Sequence, residues 1–181
     1  AYEGEITVGV ATTTEDSQGE TIAKKPVDQA LSLAEIDAAM ESMIGESIQV
    51  PPMYSAVKVN GKRLYEYARK GLTVERPQRT ILVMSFERIS ETVYHAEDQT
   101  MSWRFRVTCG KGTYVRTLAV DLGASLGYPA YMSSLTRTMS GSFTKADCLT
   151  LQQVAEAMTI NEIDAHLKPI DSVFETFQQL A

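Results

Sequence analysis

Apolar and polar residues alternate from the start of the chain: Tyr2, Ile6, Val8 and Val10 share one parity, and Glu3, Glu5 and Thr7 the other. A period of two puts the sets on opposite faces and predicts a half-buried strand over AYEGEITVGVATTT. Beyond the polar turn TTTEDSQGE and Pro26 the period changes. Leu33, Ile36, Met40, Met43 and Ile44 recur at helical spacing behind a Ser32/Glu35 capping box, with Gly45 as the stop. From Val50 to Thr80 periodicity is lost: Pro51-Pro52, Asn60-Gly61, Gly71 and Pro77 punctuate a long connection with one short helix near Leu64 to Lys70. Two strands follow, Ile81 to Ile89 and Trp103 to Cys109, joined by the polar SETVYHAEDQT. In the second, Trp103, Phe105, Val107 and Cys109 alternate with Arg104, Arg106 and Thr108. A helix then carries Val115, Leu118, Ala119, Leu122 and Leu126 on its apolar side, with Thr113 placed to cap it and Gly127 after its end. A strand-like piece surrounds Ser134 to Phe143. Capped helices begin near Thr150 (with Gln153) and Thr159 (with Glu162), ahead of the tail DSVFETFQQLA. These elements predict an α+β fold: a mixed, largely antiparallel sheet with packed helices and a protruding basic loop.

At 181 residues, 44% hydrophobic and 22% charged, the chain can bury the core of one domain, or of one domain with a small appendage. The start on Ala-Tyr, with Tyr2 already on the apolar parity, predicts a piece of a longer folded unit. No apolar run approaches the roughly 20 residues that cross a bilayer, so the expectation is a cytoplasmic chain without membrane contact. Cys109 and Cys148 lie in unrelated contexts, and His95 and His166 have no acidic or cysteine cluster at ligand spacing; no metal site is predicted. The chain is expected to work as a monomer.

Charge changes the picture locally. The formal net charge of -6 argues against a general polyanion binder. Between Pro52 and Thr80, however, Lys58, Lys62, Arg63, Arg69, Lys70, Arg76 and Arg79 meet only Glu66 and Glu75, a local excess of +5. The same stretch holds Tyr54, Tyr65 and Tyr67. Cations that meet phosphates and aromatic faces that stack on unpaired bases are the means by which looped RNA is held; a solvated loop anchored by its tyrosines is the plainer reading.

CGKGTYVRTLAVDLG places a glycine-rich turn between a strand and a helix. It is not a nucleotide-binding loop of the form G-x-x-x-x-G-K-[ST], because Phe105 stands where the first glycine is needed and Gly112 follows Lys111. Tyr114 and Arg116 open the helix that follows. A cation there opposes the positive end of the helix dipole, a cost that a fixed anionic partner, an acidic side chain or a phosphate, offsets; a solvated Arg116 with Tyr114 packed in the core is an equal reading. Asp16, in a turn rich in Thr, Ser and Gly, is expected to bond nearby backbone amides rather than to act as a catalytic carboxylate.

In order along the chain, these stretches resemble the TruB-type tRNA pseudouridine synthases. Thr12, Thr14, Asp16 and Gly19 match T-x-T-x-D-x-x-G; VPPMYSAVKVNGKRLYEYARKG is similar to the family's central signature. CGKGTYVRTLAVDLG resembles K-G-T-Y-[IV]-R-[ST]-L, and Leu135, Arg137, Gly141 and Phe143 match L-x-R-x-x-x-G-x-F. The resemblance runs from Tyr2 to about Phe143. It implies isomerisation of uridine to pseudouridine in the T loop of tRNA, at position 55, without metal or organic cofactor, on a base flipped out of the loop. It implies that Tyr2 packs against the base, that Tyr114 stacks on it or helps move its proton, that Leu135 lines the pocket and that Arg116 pairs with the nucleophilic aspartate. RNA contacts fall to Lys58, Lys62, Arg63, Tyr65, Arg69 and Lys111. The family's nucleophile lies in a G-x-L-D-P motif that these 181 residues do not contain, and Asp16 aligns with the turn aspartate instead. The expectation is therefore a partial catalytic domain over residues 1–148, with its RNA-gripping loop over 52–80, and a helical segment over 149–181 leading to a further RNA-binding domain. Alone, this chain would be inactive and its Arg116 would lack a carboxylate. The alternative is a non-catalytic RNA-binding module.

Overall fold

The computed structural model describes residues 1–169. The opening alternation becomes β1 (Tyr2–Val8), with Ile6 and Val8 fully buried. Two short strands, β2 (Val10–Thr12) and β3 (Thr21–Lys24), pair around the TTTEDSQG turn. The capping box forms as predicted: α1 (Leu33–Ser42) starts on Ser32, whose hydroxyl accepts the Glu35 amide while the Glu35 carboxylate accepts the Ser32 amide. Ile36 and Met40 are its buried residues; Ile44, expected on the same face, is exposed, because the helix has already ended. Gly45, with φ of 109°, opens a strand absent from the sequence reading, β4 (Gly45–Gln49).

The basic connection is partly ordered. β5 (Lys58–Val59) and β6 (Lys62–Arg63) form a hairpin over Asn60-Gly61, both with positive φ, as a tight turn of this sequence requires. It runs into α2 (Leu64–Ala68), anchored by the fully buried Leu64. β7 (Arg79–Arg88), β8 (Val93–His95) and β9 (Thr100–Cys109) follow, then α3 (Val115–Ser125) and β10 (Ala130–Arg137). The sheet order is β10-β1-β9-β7-β4, with β8 beside β9. The β1–β9, β7–β9, β4–β7 and β8–β9 pairs are antiparallel, which matches the largely antiparallel α+β fold expected.

Why the sheet buries one face follows from β9. Trp103, Phe105 and Val107 are at most 1% exposed, while Arg104 and Arg106 face outward, where Arg106 meets Glu3 at 2.8 Å. Phe86 of β7 stands edge-on to Phe105, with 5.5 Å between ring centroids. α3 lays Leu118, Ala119 and Leu122 on this core, and Gly123 lets it approach the start of β10: a Cβ there would meet Ala130.

By internal contacts the chain divides into two units, Tyr2–Thr136 and a second made of Ala1 with the chain from Arg137 onward. In the second, Ala1 accepts the amides of Thr138 and Met139, and β11 (Met139–Ser140) pairs with β12 (Phe143–Thr144). α4 (Leu151–Thr159) has the expected Thr150/Gln153 capping box. The expected cap at Thr159 does not form: Thr159 ends α4 with its hydroxyl donating to the Ala155 carbonyl, and the next element is the 3₁₀ turn Ile163–His166. The tail DSVFETFQQLA lies outside the described residues. No helix among the described residues is long and apolar enough to cross a membrane.

Candidate active site

The TTTEDSQG turn is held by its own side chains. Thr12 Oγ1 donates to the Asp16 carbonyl at 2.7 Å, Thr14 Oγ1 to Asp16 Oδ1 at 2.5 Å, and the Gln18 amide to the same Oδ1 at 3.0 Å. Glu15 turns the chain with φ of 63°, and Gly19 packs so tightly on Thr14 that a Cβ would meet its amide and hydroxyl. Asp16 thus bonds within its turn, as its setting predicts. It also does something the sequence reading did not assign: its Oδ2 accepts Arg116 Nη1 at 3.0 Å.

Arg116 reaches this turn from the first turn of α3 and is fixed by three oxygens. Nη1 donates to the Thr14 carbonyl at 2.6 Å as well as to Asp16, and Nη2 donates to the Tyr54 carbonyl at 2.9 Å. The expectation that Arg116 would stand without a carboxylate is corrected here: Asp16, 100 residues away, supplies one. Charge-assisted bonds of this kind are the stronger class, and the guanidinium fork suits several acceptors at once. Through Tyr54 the same side chain joins the TTTEDSQG turn to the base of the basic loop. Asp16, Gln18, Arg116, Met132, Ser133 and Leu135 line a cavity of about 330 Å³. Ser133 is set by Glu5, to whose Oε1 it donates at 2.8 Å, and by the Thr7 hydroxyl, which donates to it at 2.9 Å.

Of the residues singled out in the sequence, the fold therefore brings Arg116 and Leu135 together, with Asp16 beside them. Tyr2 and Tyr114 are half-buried and are not among the lining residues of the cavity; Tyr2 packs against the core. Thr113 does not cap α3: the N-cap is Tyr114, and the Thr113 hydroxyl is buried with no hydrogen-bond partner among the described residues. Lys111 is exposed on its glycine turn, where Gly112 has φ of 89°. A residue missed in the sequence is Gln49, buried at the end of β4 and bonded to Tyr114. Its only sequence signal is a polar side chain on the inward parity of a short strand.

The basic stretch presents Lys58, Lys62 and Arg63 as exposed side chains. Arg63 donates to the Tyr65 hydroxyl at 3.0 Å, and the Arg63 and Arg69 guanidinium carbons lie 5.8 and 5.1 Å from the Tyr65 ring centroid. Two arginines thus flank one tyrosine ring at cation–π distance. Among the described residues no group of His, Cys, Asp and Glu is placed to hold a metal ion.

Residues 1–115 match the family described as TruB family pseudouridylate synthase (N terminal domain), well over half of the chain. The chain belongs to the TruB family. Residues 116–175 match the tRNA pseudouridylate synthase B C-terminal domain. The chain is 53% identical over 172 residues to tRNA pseudouridine synthase B of Halalkalibacterium halodurans, covering 95% of this chain and 56% of that protein. It is 54% identical over 170 residues to the same enzyme of Streptococcus sanguinis, covering 94% and 57%. The chain thus spans a little over half the length of these TruB relatives. Among solved structures it is similar to a Cbf5-Nop10-Gar1 complex, with a TM-score of 0.58 at 24% identity over 96% of this chain and 44% of that one. That likeness shows a shared fold.

Next to the Arg116 site lies a second carboxyl with an unusual environment. Burial raises the Glu15 carboxyl above its ordinary value of 4.5, an effect only partly offset by the Thr117 hydroxyl, which donates to it at 2.7 Å, and by the Arg116 and Arg76 charges. The unfolded chain therefore releases this proton first. Glu15's contribution to stability is full below pH 4.5 and is lost as pH rises through the folded value. Glu15→Gln keeps an oxygen for Thr117 and cannot ionise. Its urea midpoint relative to the parent is expected to rise between pH 4 and pH 7; a difference independent of pH in parallel melts would refute the assignment.

Proposed function

We propose that the whole protein converts uridine to pseudouridine in the T loop of tRNA, at position 55, and that this chain supplies the base pocket, the arginine beside it and the RNA-gripping loop. The observation that carries the reading is the Arg116–Asp16 pair at the wall of a cavity shared with Leu135, in a chain of the TruB family. Names of relatives at about half sequence identity support the reaction and its tRNA substrate.

The chemistry needs a base out of its stack, a nucleophile at the sugar and a pocket in which the detached base turns before it rejoins through carbon. A cavity of about 330 Å³ accommodates a pyrimidine ring. Tyr2 packs against the flipped base, Tyr114 stacks on it or helps move its proton, and Leu135 lines its pocket. The nucleophilic aspartate comes from outside these 181 residues, since no L-D-P occurs in them. Asp16, whose two oxygens already serve Thr14, Gln18 and Arg116, orders the arginine rather than attacking. Lys58, Lys62, Arg63, Tyr65, Arg69 and Lys111 hold the T stem-loop. The catalytic part covers residues 1–148, and 149–181 lead toward a further RNA-binding part. The protein works as a cytoplasmic monomer and needs neither metal nor organic cofactor.

The test uses a T stem-loop transcript carrying 5-tritiated uridine. The intact protein is expected to release tritium from one uridine per RNA, while residues 1–181 alone bind the RNA without release. Binding without release by the intact protein would favour a non-catalytic RNA-binding module instead.

A further inference from the structure

Gln49 ends β4 and is only 3% exposed. A buried primary amide is costly unless both its ends are bonded. Gln49 gives both ends to a single residue: its Oε1 accepts the Tyr114 amide at 2.8 Å, and its Nε2 donates to the Tyr114 carbonyl at 3.1 Å. This reproduces with a side chain the reciprocal pairing of two strand residues and ties the sheet edge to the residue just ahead of α3.

The Tyr114 main chain is held by that tie and by the Leu118 amide, which donates to its carbonyl at 3.2 Å. As N-cap of α3, Tyr114 has no side-chain cap bond, and among the described residues its hydroxyl makes no hydrogen bond and its ring has no aromatic or cationic contact. What Gln49 fixes is the point from which the ring leaves the chain, because it holds both the amide and the carbonyl of Tyr114. Arg116, two residues on, is different, because three oxygens from other segments fix its guanidinium directly. A disturbance at Gln49 thus acts first on Tyr114.

We propose that Gln49 is a positioning residue for the reaction: by clamping the main chain of Tyr114 it sets the angle at which the tyrosine ring meets the uracil base. This rests on the reading of Tyr114 as the stacking residue. Gln49→Leu preserves volume and removes both bonds, so the ring loses its register while the basic loop and the arginine keep theirs. A misplacement of about 1 Å at such a contact costs roughly a hundredfold in rate.

The experiment measures kcat and KM of the intact protein on a T stem-loop for Gln49→Leu, Tyr114→Ala and the double variant, with thermal midpoints as a folding control. Gln49→Leu is expected to lower kcat about a hundredfold and to leave KM within about threefold, and the double variant to be no slower than Tyr114→Ala alone. A parental kcat for Gln49→Leu overturns the proposal, as does a double variant in which the two losses multiply. If Tyr114→Ala turns over at the parental rate, the stacking role of Tyr114 falls and the clamp with it. If Tyr114→Ala is slow and Gln49→Leu is not, only the clamp falls. Gln49→Asn, which keeps the amide but withdraws it by one methylene, is expected to lie between parent and Gln49→Leu and carries the same comparison should the leucine variant not fold.

Discussion

Arg116→Ala in the intact protein is expected to lower pseudouridine formation on a T stem-loop by about a thousandfold or more, with RNA affinity within a few fold of the parent. The effect follows from where the guanidinium sits. It is about a quarter exposed, at the wall of the cavity, and three oxygens from the turn and the loop hold it before any substrate arrives. A cation fixed in this way stabilises charge on a reacting carboxylate without reorganising during the reaction. The RNA contacts proposed for this chain lie elsewhere, on the exposed cations of residues 52–80, so binding and turnover should separate. Arg116→Lys is expected to be intermediate and closer to alanine, because a point charge cannot span Asp16, Thr14 and Tyr54 together. The stability loss should be small beside the kinetic one: Asp16 keeps Thr14 and Gln18, and screening weakens a pair that is partly exposed at both ends. Single-turnover rates with thermal midpoints check both parts. Near-parental turnover for Arg116→Ala would remove Arg116 from the mechanism.

The sequence made legible those elements whose pattern and burial agree. β1 and β9 alternate and bury the alternating set; α1 and α4 carry capping boxes that form. β4 was not legible because its polarity is reversed: Ile48 points outward at 67% exposed, while Gln49 points inward. A strand of five residues that buries a glutamine at its end has no hydrophobic period to read. β8 was missed for a related reason, since Val93, Tyr94 and His95 are all exposed and only pairing to β9 makes them a strand. Thr113 misled in the opposite direction: its position ahead of α3 suggests a cap, but packing turns the hydroxyl inward. At the site, each motif could be read separately, and the helix-start cation raised an anionic partner as one of two readings. That Asp16 is the anion within this chain depends on β2 and β3 placing the turn, and on the left-handed backbone at Glu15 that aims it. Such a contact between distant segments is a property of the fold rather than of either motif.

Neutralising Lys58, Lys62 and Arg63 together with glutamine is expected to flatten the salt dependence of RNA binding and to weaken it strongly. Each phosphate contact contributes roughly 0.7 to 0.9 to the slope of log affinity against log salt, so three lost contacts reduce it by about 2 to 3. Near 0.1 M salt this corresponds to a loss of roughly a hundredfold. The hairpin itself should survive, because all three side chains are exposed and Asn60-Gly61 and Leu64 supply its turn and its anchor. Arg69 still lies 5.1 Å from the Tyr65 ring centroid, so the aromatic face keeps one cation and some stacking capacity remains. None of the three lines the cavity at Arg116, and the loss in turnover should therefore fall mainly in KM. Filter binding at several salt concentrations, compared with the parent, measures the slope directly. A variant whose affinity drops at every salt by one constant factor, with the slope unchanged, would mean that these cations shape the loop without touching phosphate. Parental affinity and slope together would place the RNA on another face of the protein.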